Sequence, residues 1–427
     1  MSGLYGAGLL GFLLAGLPVA GTLLLVGVIG IWWAGVPLSI VAQRMAFGLD
    51  SFTLIAIPLF LLMGNLMNAT GVTKRVFAVA AVFVGHWKAG LAQVNALASV
   101  VFSGMSGSAL ADAAGLGSVE IKAMRDAGYR PAYAAAVTAA SATVGPVIPP
   151  SIAAVLYAFI ADVSVGRMFL AGVVPGLLMT VALMIMIRLR ASASGMPALP
   201  RATAKEKGSA LFAALPAIAA PFLLIGGMRS GVFTPTELAA VGVLYALLLG
   251  LLYRHETRLT DIWEALRMTA ITSSAVLLIV AAAHVFAWIL AREQIPQGIT
   301  REILALGLSP LMVLLVINLL LLLLGMVLDT TGILILVTPV AVPAVVAVGI
   351  DPVHFGIVMI VNMCIGLITP PLGMALFVVA DIARVPVAQV AREALPYVVA
   401  LLAVLAVITL FPGLVLYLPN LVFGAPS

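Results

Sequence analysis

Long apolar runs dominate the chain, near positions 4–36, 52–70, 76–110, 132–162, 168–189, 209–228, 235–253, 268–291, 302–328, 330–348, 353–382 and 394–422. A helix that crosses a bilayer needs about 20 such residues. Most runs lack the alternation of apolar and polar residues over about ten positions that a barrel strand requires. Closed helices are the remaining way to satisfy the backbone in lipid. The pattern therefore predicts an all-α polytopic membrane protein. Several runs are too long for one crossing, too short for two, and interrupted by Gly and Pro. Such runs predict re-entrant hairpins or broken helices.

The most polar stretch is 188–209, where Arg188, Arg190, Arg201, Lys205 and Lys207 face only Glu206. It divides the chain into parts 1–190 and 209–427, with 191–208 read as a cytoplasmic linker. A second basic loop is Arg254-His255-Glu256-Thr257-Arg258. Composition narrows the class further. Of 427 residues, 63% are apolar and 9% charged, and the mean hydropathy is +1.24. So few charges cannot cover a water-soluble surface. A soluble enzyme, a disordered chain and a secreted disulfide scaffold are excluded. The single cysteine, Cys364, excludes a disulfide framework and a multi-Cys metal site. The net charge of +5 reads as positive cytoplasmic loops. No Lys/Arg run with interleaved aromatics suggests nucleic acid. Residues 1–16 lack the basic start of a signal peptide and lead straight into the first membrane segment.

A shift of 221 residues aligns the two parts without a gap. Gly104-Met105 falls on Gly325-Met326, Gly128 and Pro131 on Gly349 and Pro352, Gly145 on Gly366, and Pro149-Pro150 on Pro370-Pro371. Ten of the 47 positions between 104 and 150 are identical to their counterparts, against roughly four expected from composition. Matched Gly and Pro weigh most because they fix backbone geometry. The loop 116–132 carries Lys122, Arg125 and Arg130, whereas its counterpart 337–353 carries only Asp351. By the positive-inside rule the first loop is cytoplasmic and the second outside. Equivalent elements then have opposite orientation, the inverted-repeat design of secondary transporters, with substrate and ions at the midplane.

Each copy holds two small or polar interruptions. In the first, Gly104-Met105-Ser106-Gly107-Ser108-Ala109-Leu110-Ala111-Asp112 suits a hairpin tip, and Ser141 to Ser151 holds Thr143, Gly145, Pro149 and Pro150. Proline removes a donor and releases the carbonyl four residues earlier, here those of Gly145 and Pro146. In the second, Gly325-Met326-Val327-Leu328-Asp329-Thr330-Thr331-Gly332 precedes Asn362 to Gly373. There Pro370 and Pro371 release the carbonyls of Gly366 and Leu367, while Asn362, Thr369 and Asp329 supply further oxygens. Released carbonyls are tolerated at membrane depth where they line a cavity or bind something. Hard cations take carbonyl, hydroxyl and carboxylate oxygen, so both sites suit Na⁺. Taken singly, Gly/Ser stretches read as helix-packing surfaces and Pro-Pro as a kink. In both copies, however, a turn and a Gly-x-x-x-Pro-Pro break lie 45 residues apart, which packing does not require. Half-helix N-termini at Ser151 and after Pro371 favour an anionic, carboxylate substrate.

Other residues read more plainly. His86, His284 and His354 lack metal-ligand spacing and read as loop or packing residues. Thr234-Pro235-Thr236-Glu237 reads as a capping box at a helix start. Asn65, Asn68 and Asn95 read as interhelical hydrogen-bonding groups, and Trp32, Trp33, Trp87 and Tyr417 fit interfacial belts.

Taken together these motifs resemble the large membrane subunit of TRAP transporters, the DctM-like tripartite ATP-independent periplasmic transporter family. The resemblance rests on Ile57-Pro58-Leu59-Phe60 and on Ser106-Gly107-Ser108-Ala109 before Ala111-Asp112. It continues in Gly145-Pro146-Val147-Ile148-Pro149-Pro150-Ser151 and in the stretch from Gly231 through Thr234-Pro235-Thr236-Glu237. Asp351-Pro352-Val353-His354-Phe355-Gly356 and Gly366-Leu367-Ile368-Thr369-Pro370-Pro371-Leu372-Gly373 complete it. It implies an elevator-type fold of the ion-transporter superfamily, an inverted repeat in which two re-entrant hairpins and two broken helices slide against a scaffold. It implies a multi-pass protein of the bacterial inner membrane. The partners it implies are a separate small four-helix membrane subunit and a periplasmic binding protein that delivers an organic acid, with a Na⁺ gradient driving uptake. One Na⁺ site would comprise Ser106, Ser108, Asp112, Ser141, Thr143, Gly145 and Pro149. The other would comprise Asp329, Thr330, Asn362, Gly366, Thr369 and Pro370. The substrate, a C4-dicarboxylate, sialic acid or similar carboxylate, would lie between them, against Ser108, Ser151, Thr331 and Gly373.

Two rivals differ in kind. A stand-alone Na⁺/dicarboxylate symporter of related fold would need no binding protein. An intramembrane serine protease would use Gly104-Met105-Ser106-Gly107, a Gly-x-Ser-Gly sequence. That chemistry needs a His base, and His284 and His354, the only deep candidates, have no orienting partner visible in the sequence.

Overall fold

The computed structural model describes residues 2–194, 198–229, 231–253 and 257–424. The first part of the chain forms α1 (Ser2–Leu14), α2 (Val19–Trp33), α3 (Ser39–Leu49), α4 (Ala56–Ala69), α5 (Val72–Val84) and α6 (Gly90–Ser106). These are followed by α7 (Ala109–Ala114), α8 (Leu116–Asp126), α9 (Pro131–Ala142), α10 (Ile152–Ala161) and α11 (Val165–Ser194). The second part forms α12 (Ala204–Arg229), α13 (Pro235–Leu252), α14 (Leu259–Arg292), α15 (Ile295–Ala305) and α16 (Pro310–Gly325). It ends with α17 (Thr330–Ala347), α18 (Pro352–Gly366), α19 (Met374–Ala383), α20 (Val387–Leu410) and α21 (Pro412–Phe423). Among the described residues, seven helices are long and apolar enough to cross a membrane.

Element boundaries recur at the 221-residue offset. Helix α9 starts at Pro131 and α18 at Pro352, both with Pro in the first turn, where its missing N–H costs nothing. The Pro149–Pro150 and Pro370–Pro371 peptides are both cis. The offset also superposes α6 on α16, α10 on α19 and α11 on α20. Elsewhere the copies differ. The 34-residue α14 is one helix, where the first part breaks into α3 and α4. The continuous α17 holds two internal prolines, where the first part breaks into α7 and α8 at Gly115.

The long apolar runs end where the backbone cannot continue. The 4–36 run divides at Gly16, whose φ is +84°, ahead of Pro18. The 76–110 run divides at the turn before Gly90, and 302–328 divides at Gly307 and Ser309. Helix α13 starts at the Thr234–Glu237 capping box: Glu237 N–H donates to Thr234 Oγ1 at 3.3 Å, and Thr234 N–H donates to Glu237 Oε2 at 2.7 Å.

Two packed groups emerge. In one, α4 lies on α13 and α14, while α14 also lies on α2 and α3. In the other, α6 folds back on α7 and α8, α16 folds back on α17, and α9 and α18 form the centre. Helix α18 is buried from Val353 to Gly366, and α9 from Tyr133 to Ala142. A helix apolar on every side belongs in the middle of such a body. Asn65 on α4 donates to Thr269 on α14 at 2.9 Å, as an interhelical polar contact. His354 reaches the Ile408 carbonyl at 2.8 Å and is buried, a packing role. Many large apolar side chains face outward, among them Phe212, Phe222, Leu251 and Leu259, as lipid contact requires.

Candidate functional site

The first interruption turns at Gly107, whose φ is +61°. No side chain fits there: a Cβ would lie 2.7 Å from the Pro150 carbonyl oxygen. The tip between α6 and α7 thus rests directly on the break between α9 and α10. Ser108 caps α7, its hydroxyl accepting from Ala111 N–H. Asp112, one turn on, is buried, and its Oδ2 would stand 2.6 Å from a Cβ at Gly145. The side chain of Ser106 lies outside the described residues.

Behind this tip, Asn95 on α6 binds α9 twice. Its amide donates to Thr138 Oγ1 at 2.7 Å, and its carbonyl accepts from Ser141 Oγ. Thr143 Oγ1 donates to the Ala140 carbonyl at 2.6 Å. Ser151 caps α10, accepting from Ala154 N–H at 3.0 Å, and its own hydroxyl donates to the Pro146 carbonyl.

The second interruption is built on the same plan with different chemistry. Asp329 stands 221 residues after Ser108 and likewise caps a helix, accepting from Thr331 N–H at 3.0 Å and Gly332 N–H at 3.3 Å. Asn362 stands 221 residues after Ser141. Its amide donates to the Asn318 backbone carbonyl at 2.8 Å and to Asn318 Oδ1 at 2.9 Å. Gly325 and Gly366 bring hairpin and break into backbone contact: a Cβ on Gly366 would lie 2.6 Å from Gly325 Cα. Thr369 Oγ1 donates to the Ile365 carbonyl at 2.7 Å. Two buried oxygens here, Asn362 Oδ1 and Thr330 Oγ1, have no hydrogen-bond partner among the described residues. Buried oxygens in that condition call for a ligand.

Both interruptions meet at one open cleft of about 570 Å³. Gly107, Ser108, Pro146 and Ile152 line it from the first part, and Asp329, Thr330, Thr331 and Leu367 from the second. Its opposite wall is Leu61 on α4 with Thr272 and Val276 on α14. None of the described lining residues is Lys, Arg or His. Of the residues singled out in the sequence, Ser108, Asp329, Thr330 and Thr331 reach the cleft. Asp112, Ser141, Thr143 and Asn362 are buried behind it. Ser151 is turned inward to Pro146, and Gly373 caps α19 with φ +48°, its N–H donating to the Met326 carbonyl at 3.3 Å. Neither of these two lines the cleft. Three carbonyls expected to be released by proline already accept one hydrogen bond: Pro146 from Ser151, Gly366 from Thr369 N–H and Leu367 from Ala375 N–H. Each keeps its second lone pair.

Sequence reasoning missed two features. Among the described lining residues Thr272 supplies the only polar side chain of the α4/α14 wall, and it opens the Thr272-Ser273-Ser274 triplet. Glu120 on α8 is fully buried, within electrostatic range of Asp112. The spacing of Leu116, Glu120, Ile121 and Met124 on one helix face was the available signal for it.

Folded-back helix pairs, broken helices and a cleft carrying a few hydroxyls and one carboxylate inside an apolar helical body suit a polytopic membrane transporter. A solved structure of similar fold, the Alcanivorax borkumensis YdaH transporter, agrees in fold: TM-score 0.65 at 17% identity, covering 87% of each chain. Residues 7–414 match the family model of the tripartite ATP-independent periplasmic transporter, DctM component. The chain is 46% identical over 418 residues to the sialic acid TRAP transporter large permease protein SiaM of Vibrio cholerae, covering 98% of both chains. It is 40% identical over 371 residues to the C4-dicarboxylate TRAP transporter large permease protein DctM of Pseudomonas aeruginosa, covering 87% of both. The chain belongs to the DctM family of TRAP transporter large permeases. It is a multi-pass inner-membrane protein of transport, not an enzyme.

Proposed function

We propose that this permease imports an organic carboxylate by Na⁺ symport, taking it from a periplasmic binding protein and working with a small four-helix membrane subunit. The names of its relatives, carriers of sialic acid and of C4-dicarboxylate, support the substrate class. The observation that carries the ion assignment is that Asn362 Oδ1 and, next to the Asp329 cap, Thr330 Oγ1 are buried with no hydrogen-bond partner among the described residues. Amide, hydroxyl and carbonyl oxygens are the donor set of a hard alkali ion. In the first copy Asp112, Ser141 and Thr143 provide the oxygens.

Charge balance supports coupling. A carboxylate entering a cleft with no cationic side chain needs positive charge from elsewhere. Bound Na⁺ and the N-terminal dipole of α10, whose Ile152 and Ala153 line the cleft, are the available sources. Binding of ion and substrate then reinforce each other, which is the basis of symport.

The two halves face opposite ways in the membrane on this reading, and α6–α11 with α16–α21 slide as one body against α2–α4, α13 and α14. At the boundary between these groups Phe159, Val280, His284 and Ile335 line a recess between α14 and α10/α17. The test is reconstitution with both partner proteins in liposomes. Uptake of labelled acid driven by an inward Na⁺ gradient, and indifferent to a proton gradient, is expected. Uptake that follows protons and ignores Na⁺ refutes the coupling, and equal uptake without the binding protein favours the stand-alone symporter.

A further inference from the structure

The cleft has two unlike walls, and only one of them belongs to the hairpins and breaks. The other is formed by Leu61, Thr272 and Val276, from helices that pack in a different group. Thr272 supplies its only polar side chain. The position of that wall is fixed one turn away, where Asn65 on α4 donates to Thr269 on α14 at 2.9 Å. Leu61 and Asn65 lie four residues apart on α4, and Thr269 and Thr272 three apart on α14, so each pair shares a helix face.

Threonine inside a helix ordinarily returns its hydroxyl proton to the carbonyl four residues back. Thr180, Thr269, Thr300 and Thr409 do so here, at 2.7–2.9 Å, whereas the buried Thr22 of α2 has no partner for its hydroxyl among the described residues. Thr272 makes no hydrogen bond among the described residues and is part-exposed on the cleft.

Building on the proposed transport function, we infer that the Thr272 hydroxyl binds an oxygen of the carboxylate substrate from the stationary wall, and so sets substrate affinity in the state where the cleft lies against α14. Thr272 donates its proton to a substrate oxygen while Ser108 and Thr331 face the same ligand from the hairpin side. Thr272 stands on the wall opposite Asp329 and Thr330 and gives no oxygen to the proposed ion sites, so the contact governs the acid. Sliding of the hairpin body past α14 breaks this one bond and leaves those of the hairpin side intact. Affinity is thereby lowered in the state that must release substrate.

The experiment compares wild type with Thr272→Val and Thr272→Ser in the complete reconstituted transporter, using labelled N-acetylneuraminate and labelled succinate. For the acid that wild type accumulates, Thr272→Val is expected to raise KM on the order of ten-fold, the loss of one hydrogen bond to a charged group. Half-saturation by Na⁺ stays within about two-fold, and Thr272→Ser restores KM to near wild type. Monodisperse elution of each variant confirms that it folds. An unchanged KM in Thr272→Val, with Na⁺-driven uptake intact, overturns the inference. So does an equal rise in Thr272→Ser. Accumulation of neither acid by wild type under a Na⁺ gradient overturns the transport reading beneath it.

Discussion

The carboxylate of Asp112 occupies the space that any side chain at Gly145 would claim, with Oδ2 2.6 Å from where a Cβ would stand. Hairpin and broken helix are thereby fitted to each other through a charged group rather than through apolar packing. Gly145→Ala must push the carboxylate aside, and the Ala142 carbonyl, 3.1 Å away, blocks retreat in the other direction. The expected outcome is folded protein with Na⁺ half-saturation raised at least about ten-fold in liposome uptake. Unaltered Na⁺ dependence would remove Asp112 from the ion site.

The equivalent substitution in the second copy should fail differently. A Cβ on Gly366 meets Gly325 backbone atoms at 2.6 Å, where no flexible side chain can yield. Gly366→Ala should lower stability by about 1–3 kcal/mol, as overpacking does. A reduced melting temperature in detergent, with or without Na⁺, is the readout.

Asn362 separates structural from ligand roles. Its amide holds Asn318, while its oxygen has no partner among the described residues. A ligand that binds only the folded state raises its melting temperature, so NaCl should stabilise wild type relative to choline chloride. Asn362→Ala should lose most of that increment. Asn318→Ala, which removes one of the two bonds to Asn318 but leaves the Asn362 oxygen in place, should keep most of it. Equal losses in both variants would reduce Asn362 to a packing residue.

Glu393 on α20 ties α20 to both α9 and α11. It pairs with Arg130, just ahead of α9, at 2.9 Å, and with Arg190 on α11. Arg190 in turn lies over the rings of Tyr133 and Tyr397, at 5.4 and 5.7 Å. Arg130 is largely exposed, so its bond contributes little. Removing the carboxylate takes the charge partner from the more buried Arg190, which keeps its bond to the Glu393 backbone carbonyl. Glu393→Ala should therefore cost on the order of 2 kcal/mol, read as a lower melting temperature, with Glu393→Gln falling between it and wild type.

Much of this arrangement was legible because its cause is local. Pro131 and Pro352 start helices, Gly107 turns a hairpin, and Thr234 with Glu237 closes a cap. In each case the residue type restricts its own backbone. The 221-residue offset was equally legible, since matched Gly and Pro imposed matching breaks. What escaped depends on distant contacts. Thr272 matters because α14 happens to face the cleft, and Glu120 because α8 turns it inward. The expectation that proline leaves its carbonyls open needed amendment for a local reason: Ser151 and the Ala375 amide, five and eight residues on, reach back to Pro146 and Leu367.

The proposed opposed orientation of the two halves underlies every ion and substrate argument, and a labelling experiment addresses it directly. Cys364 is fully buried, so single cysteines introduced at exposed Asp126 and at exposed Ala347, 221 residues apart, report alone to a membrane-impermeant maleimide. In intact spheroplasts Ala347→Cys should label and Asp126→Cys should not, with the order reversed in inside-out vesicles. Labelling of both from the same side would contradict the inverted repeat, and with it the twin-site symport mechanism.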